Sequence, residues 1–259
     1  MTESNTGDYR GDTLHASWCT DIGNARAANE DAVRAVPEEG LFILSDGMGG
    51  EYAGAYASEL VVGRLPLLVR EHLSELPQDA PAREVLAALT DAIREVNFVV
   101  RDESSQLNGP RRMGATLAMA LVRGRDVCIA HMGDSRVYHL HKGALKLLTN
   151  DHSVVGSLVN EGVITSQQAR YHPLRGQLVR FVGMGGEGAA DVQAFRWSGG
   201  DRLLLCSDGL IERLDDTDLL RILARHADLP SACHDLIQSA KDAGSGDNIT
   251  AMVVEKVGE

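Results

Sequence analysis

The sequence predicts an α+β fold of layered antiparallel sheets, and three observations carry that reading. Apolar segments of strand length come in groups joined by short turns containing Gly or Pro. Residues 51–74 and 81–101 interrupt them with the 3.6-residue period of helices. The resulting order is hairpins, two helices, a meander, further strands, two helices and a last strand. That is not the βα alternation of a parallel sheet.

Residues 13–20 have strand character, and 21–29 form a loop of small residues. A strand at 31–36 turns through Pro37-Glu38-Glu39-Gly40 into the apolar run 41–45, a hairpin pattern. In the first helix Ala57, Leu60, Val61, Leu65 and Leu68 fall roughly on one face. In the second, Val85, Leu86, Leu89, Ile93 and Val96 recur at helical spacing, with Pro81 suitably near the start. The meander comprises 115–122, 127–132, 136–141 and 145–148, with turns at Arg123-Gly124-Arg125 and Lys142-Gly143. Residues 150–176 read as irregular, with a helical piece around 166–170, the kind of segment on which binding elements are carried. Strands are expected at 178–182, 192–197, 201–207 and 249–256, and helices at 217–225 and 231–240. Without a repeat, a low-complexity tract or a linker, residues 13–257 are expected to form a single domain behind a polar N-terminal tail, 1–12.

Asp and Glu number 37 against 25 Lys and Arg, for a formal net charge of −12. This sign argues against a general nucleic-acid or anionic-membrane binder, which must neutralise phosphate. Residues 1–12 lack the apolar centre of a signal peptide, and the most apolar stretch, 60–69, is broken by Arg64 and Pro66 and is too short to span a bilayer. Cys19, Cys128, Cys206 and Cys233 are scattered singly, with no C-x-x-C and no paired His spacing, as buried thiols of a reducing compartment would be. A cytoplasmic protein is expected.

The chemistry is expected in the carboxylates. The run 41–45 leads to Asp46, with Gly47, Gly49 and Gly50 close behind, which reads as a strand end in a tight turn whose glycines take positive φ. Leu203-Leu204-Leu205-Cys206-Ser207-Asp208-Gly209 reads as the same device. Asn29-Glu30-Asp31, Gly133-Asp134-Ser135-Arg136 and Gly246-Asp247-Asn248 add acidic groups at strand boundaries or Gly turns. Two carboxylates about 4 Å apart repel by roughly 4 kcal/mol at an effective dielectric near 20. Convergence therefore calls for shifted pKa values or for cations. Oxygen ligands without Cys or His favour Mg(II) or Mn(II) over zinc. Two such ions about 3.5–4 Å apart can activate a shared water and clamp a phosphoryl group.

The same segments, taken in order, resemble the motifs of a known family. Arg26-x-x-Asn29-Glu30-Asp31, Asp46-Gly47-Met48-Gly49-Gly50, Gly114-Ala115-Thr116, Gly133-Asp134-Ser135-Arg136, Asp151-His152-Ser153, Leu205-Cys206-Ser207-Asp208-Gly209 and Gly246-Asp247-Asn248-Ile249-Thr250 are similar to those of the metal-dependent protein phosphatases (the PPM, or type 2C, Ser/Thr phosphatases), especially compact bacterial members. Together they cover nearly the whole chain. The resemblance implies a β-sandwich of two antiparallel sheets flanked by helix pairs, with two Mn(II) or Mg(II) ions at one end. It implies hydrolysis of phosphoserine and phosphothreonine by direct attack of a hydroxide bridging those ions. Asp46 would bridge both metals, the Gly47 carbonyl would bind one, and Asp208 and Asp247 would hold the other. Glu30 and Asp31 would bind or orient metal waters, including the nucleophile. Asp134, with Asp208, matches a weaker third site, and Arg26 would engage the substrate phosphate. Residues 150–176 would be the flap beside the active site, where substrate choice is made. The implied partners are phosphorylated proteins and a cognate Ser/Thr kinase whose action is opposed; a monomer is expected.

The chain also departs from the pattern. Met48 stands where animal members carry a histidine proposed as general acid, so leaving-group protonation would fall to metal-bound water. Glu51 replaces a frequent histidine, Ala115 a usual threonine, and Glu212 an aspartate found near the third metal in some relatives. Gly133-Asp134-Ser135 also looks like the nucleophile block of GDS-type esterases, but no Asp-x-x-His block follows near the C-terminus. Residues 183–188 fit G-x-G-x-x-G, yet a strand-like run follows where a dinucleotide cradle needs a helix. Of the histidines, only His152 is placed near the site, in a structural hydrogen-bonding role. The alternative from another class is a catalytically silent module that binds a phosphoprotein or kinase; retention of Asp46, Asp208, Asp247 and Arg26 argues against it.

Overall fold

A computed structural model describes residues 4–50, 52–106, 113–186 and 189–258. Its first half runs β1 (Ser4–Arg10), β2 (Leu14–Asp21), β3 (Asp31–Val36), β4 (Leu41–Met48), α1 (Ala53–Ser74), α2 (Ala82–Gln106), β5 (Gly114–Ala115), β6 (Leu117–Arg123) and β7 (Asp126–Met132). There follow β8 (Arg136–His141), β9 (Ala144–Leu147), α3 (Val154–Asn160), α4 (Ser166–Ala169), β10 (Asp191–Arg196), β11 (Arg202–Cys206), α5 (Asp208–Ile211), α6 (Asp216–Arg225), α7 (Leu229–Asp242) and β12 (Ile249–Lys256). Among the described residues the strands make two six-stranded sheets, one ordered β1-β2-β12-β11-β8-β9 and the other β10-β7-β6-β4-β3, with β5 paired to β4. The pairings are antiparallel, as expected.

The central strands are buried on both faces, which is why they read as continuous apolar runs. In β4, Phe42 and Leu44 point between the sheets, where they meet Leu203, Leu205, Met252 and Val254. Leu41 and Ile43 point the other way, into a second core completed by Val61 and Leu65 of α1 and Leu89, Ile93 and Val96 of α2. Strand β11 divides in the same manner: Leu204 and Cys206 turn outward onto Leu219, Ile222 and Leu223 of α6 and Leu236 and Ile237 of α7. The period-2 alternation of a strand thus feeds two cores at once. The result is a four-layer arrangement of helix pair, sheet, sheet and helix pair. All four cysteines are free and buried.

Three segments differ from expectation. The expected polar tail carries β1, which pairs with β2 from Ser4 opposite Asp21 to Arg10 opposite His15. As an edge strand β1 has polar residues where a central strand would have an apolar alternation, so nothing in its pattern announces it. Residues 178–182 do not form the expected strand; they make only isolated bridges, Leu178 with Ser153 and Val182 with Ala115. Residues 150–176 hold a second helix, α3, capped by the Ser153 side chain, which accepts from Gly156 N. Strand β10 follows the G-x-G-x-x-G stretch, whose residues 187 and 188 lie outside the described part, as does Glu51.

Phe42 is fully buried between the two sheets. Phe42→Ala is expected to lower unfolding free energy by about 3–5 kcal/mol, read as a shifted urea midpoint at unchanged slope.

Candidate metal and phosphate site

Asp46 comes from a strand that does not stop where the sequence suggests. Strand β4 continues through Gly47 and Met48 because β5 supplies a partner for each, Ala115 and Gly114. Asp46 is therefore held within a ladder: its amide donates to Thr116 Oγ1 at 2.9 Å, and Thr116 N donates to its carbonyl at 2.8 Å. On the other side it faces Asp31 of β3 as a directly paired residue. Positive φ falls later, at Gly49 (138°) and Gly50 (92°). Gly47 answers a different need, since a Cβ there would lie 2.0 Å from the Gly54 carbonyl oxygen and 2.8 Å from that of Glu30.

Asp208 is delivered otherwise, which corrects the idea of one device used twice. Strand β11 ends at Cys206, and Ser207 turns the chain into the short helix α5, of which Asp208 is the first residue. Gly209 is again required by contact, because its Cβ would lie 2.0 Å from the Asn248 carbonyl oxygen. Ser207 and Thr250 bind each other, Ser207 N donating to Thr250 O at 3.1 Å and Thr250 N donating to Ser207 Oγ at 3.0 Å. The Asn248 side chain ties in the loop before β3, donating to Ile22 O (2.9 Å) and Ala28 O (3.0 Å) and accepting from Glu30 N (2.9 Å). Asp134 sits in the crossing from β7 to β8, after Gly133 at φ 107°. His152 supports that turn by accepting from Gly133 N at 3.2 Å, as its structural reading anticipates.

These turns converge on a cleft of about 570 Å³ lined by Arg26, Glu30, Asp46, Gly47, Asp134, Asp208 and Asp247. Burial, then the charges of Asp31, Asp208, Asp134 and Asp247, holds the Asp46 carboxyl well above the usual range. Asp134 is also held well above it, by burial and by Asp208 and Asp151. Burial pushes Asp208 up to about 6, with Asp247 adding to the effect. Asp31, behind the cleft, is pushed up to about 7 by burial against the pull of a hydrogen bond from Thr250. Thr250 Oγ1 donates to its Oδ2 at 2.6 Å, whereas Oδ1 is buried without a hydrogen-bond partner. An orphaned carboxylate oxygen among acids that burial drives toward protonation is a donor set short of positive charge. Its oxygen ligands fit hard divalent cations.

Two arginines reach this field. Arg26 Nη2 donates to Asp247 Oδ2 at 2.6 Å with its side chain about half exposed, so the pair contributes little to stability. Arg175, from the segment after α4, lies 3.7 Å from Asp208 Oδ2 and 3.1 Å from Glu212 Oε1. Glu212 also accepts from Ser245 Oγ and Gly246 N, at 3.2 and 3.1 Å. Gly176 and Leu178 line the cleft, so the expected flap borders the site. The site residues read from the sequence are thus brought together. The roles of Thr116 and Asn248 went unread although both stand inside quoted motifs, because neither carries charge. Arg175 lies in no motif and left no signal.

Residues 24–243 match the family model described as Protein phosphatase 2C. The serine/threonine phosphatase stp of Listeria monocytogenes serotype 4b (strain F2365) is 36% identical over 249 residues, covering 94% of this chain and 96% of that protein. The crystal structure of the Mycobacterium tuberculosis serine/threonine phosphatase PstP/Ppp matches at a TM-score of 0.81 and 35% identity, over 95% of this chain and 100% of that one. The catalytic domain of the serine threonine protein phosphatase PstP in complex with 2 manganese ions matches at a TM-score of 0.75 and 33% identity, over 95% and 99% of the two chains.

Mn(II) at a hundred times its dissociation constant is expected to stabilise the fold by about 2.7 kcal/mol, seen as a rise in Tm. Gly209→Ala separates the turns carrying Asp208 and Asp247, and isothermal titration is expected to show Mn(II) binding weakened by at least about ten-fold.

Proposed function

We propose, for a chain that belongs to the protein phosphatase 2C family and is a metal-dependent serine/threonine phosphatase, that Asp46, Gly47, Asp208, Asp247, Glu30 and Asp31 hold two Mn(II) or Mg(II) ions and that Arg26 receives the substrate phosphate. The observation that supports this reading best is the convergence of buried acids with raised pKa values around one cleft, beside the unpartnered Asp31 Oδ1. Asp46, paired across the ladder with Asp31, would be the ligand shared by the two ions, with the Gly47 carbonyl holding one and Asp208 and Asp247 the other. Asp134, whose charge is felt at Asp46 and which feels that of Asp208, belongs to a third and weaker site. When bound, the ions supply Lewis acidity toward the phosphoryl oxygens and the attacking water.

The protein's own contributions are positional. Thr250 fixes one oxygen of Asp31, leaving Oδ1 as an acceptor that would orient a water held by the ions. Thr116 locks the Asp46 backbone on both its amide and its carbonyl, so the carboxylate spacing does not relax when charge develops. Arg26 stands at the cleft with a planar, always-charged donor fork suited to a phosphate dianion. Met48 lines the cleft without a transferable proton, so the leaving alkoxide takes its proton from water. The substrates are phosphoserine and phosphothreonine proteins, and a Ser/Thr kinase supplies them. The enzyme works as a monomer in the cytoplasm; no described helix is long and apolar enough to cross a membrane.

Hydrolysis of a phosphothreonine peptide, followed by phosphate release with and without Mn(II), tests this. Asp46→Asn is expected to lower kcat by at least about 10²–10³-fold. Arg26→Ala is expected to raise KM for the peptide with a smaller effect on metal binding. Turnover that survives both chelation and Asp46→Asn would remove the assignment, and metal binding without turnover on any phosphoprotein would favour the silent module.

A further inference from the structure

At the other end of the same sheet, two histidines and an aspartate meet. His139 and His141 alternate onto one face of β8, and Asp201 stands immediately before β11, the strand paired with β8. His139 Nε2 donates to Asp201 Oδ2 at 3.0 Å, and His141 Nδ1 donates to Asp201 Oδ1 at 2.7 Å. The ligand atoms of the three residues lie within 4.8 Å of one another. Strand β8 separates this cluster from Asp134 by about 17 Å of extended chain. The sequence was expected to hold no paired His spacing. His139-x-His141 is one, and its acidic partner lies 60 residues further along.

We propose that His139, His141 and Asp201 form a further metal site, chemically distinct from the carboxylate cleft, which takes a borderline divalent transition ion such as Zn(II) rather than Mg(II). Two imidazoles and one carboxylate are the donor set of such ions, whereas oxygen-only sites hold hard ones. Ligand atoms on a tetrahedral zinc with bonds of about 2.0–2.1 Å are roughly 3.3 Å apart. From 3.0 and 2.7 Å, the two N–O spacings need to open by about 0.3 and 0.6 Å to reach that. Each ring then carries its proton on its other nitrogen. The carboxylate is held from behind by Ser198 N, which donates to Asp201 Oδ2 at 2.9 Å, as an outer-shell partner orients a ligand. Burial works to raise the Asp201 carboxyl, but the Ser198 amide and the two imidazoles outweigh it and hold the group below the usual range. Entry is open on one side: Asp201 and His139 are 4% and 13% exposed in their side chains, and His141 is 42% exposed. Two cations stand beside the cluster, Lys146, paired across the ladder with His139, and the buried Lys256, whose amide donates to Asp201 O at 3.0 Å, and no ion pair joins either to Asp201 among the described residues.

A second cluster, His131, His152 and Asp191, meets the same distance criterion but is already engaged. Arg180 donates to Asp191 Oδ1, His152 Nε2 donates to Asp191 Oδ2 while its Nδ1 accepts from Gly133 N, and His131 Nε2 donates to Asn150 O. It serves as the control. A bound ion at Asp201 would clamp the end of the β8–β9 hairpin to the start of β11.

Cu(II) titrated into Mg(II)-saturated protein and followed by electron paramagnetic resonance reports imidazole ligands through nitrogen superhyperfine splitting, which oxygen ligands in the cleft do not produce. One nitrogen-ligated Cu(II) per chain is expected. In His139→Gln and in His141→Gln its affinity is expected to fall by at least about ten-fold, and His152→Gln is expected to retain it. Zn(II) should raise the Tm of the Mg(II)-saturated wild type and not that of His141→Gln. His141→Gln changes only the exposed member, and its Mn(II)-dependent turnover is expected to be unchanged. The proposal is overturned if the nitrogen signature is absent below millimolar Cu(II), if it survives His141→Gln, if it follows His152, or if His141→Gln loses turnover along with the copper site.

Discussion

Carboxylates held out of water at one end of the sandwich repel one another, and much of the local architecture restrains them against that repulsion. Burial alone drives Asp31, Asp46, Asp134 and Asp208 toward the protonated form, and their neighbours' charges add to it. Groups left to themselves would turn toward solvent. Here the main chain is held instead, by Thr116 at Asp46, by Thr250 and Ser207 between the two central strands of the other sheet, and by Asn248 beneath the loop carrying Glu30. A divalent cation placed among them converts repulsion into coordination, and the manganese-bound relative shows that this fold accepts two.

The position of the site follows from the layers. Strands covered on both faces offer the solvent only their ends, so reactive side chains have to be presented there. Asp31 and Asp46 come from the sheet containing β3 and β4, Asp208 and Asp247 from the one containing β11 and β12, and Asp134 from the crossing between the sheets. The cleft is thus an inter-sheet feature whose spacing depends on the shared core around Phe42 and Leu205. Gly47 and Gly209 bring the carboxylate-bearing backbone closer to its neighbours than any side chain would permit. Their role in this protein is contact rather than turning. The turn itself belongs to Gly49 and Gly50.

How much could be read in advance varied with the reach of the interaction. Helical and strand periods, the antiparallel order and the family motifs are local patterns, and they led to the right layers. Asp46 and Asp208 looked alike because the two segments share apolar-Ser-Asp-Gly lettering. One strand goes on because β5, nearly seventy residues later, pairs with it, and the other breaks into a helix. Strand β1 escaped notice because an exposed edge does not need the alternation by which strands are recognised. The stretch 178–182 carried strand-like letters but found only single bridges.

What the sequence determined by itself was kind and order: acidic residues at strand boundaries, oxygen ligands suited to hard cations, and an ordered motif set that names the family. Tertiary structure decided which groups touch. Only folding sets Asp31 directly across from Asp46, leaves Asp31 Oδ1 without a partner, and brings Arg175 from the segment after α4 to Asp208. Only folding, likewise, carries Asp201 to His139 and His141 at the far end of the sheet. Residue type is written locally, whereas proximity between distant segments, and the burial that shifts a carboxyl, exist only once the two sheets have closed on each other.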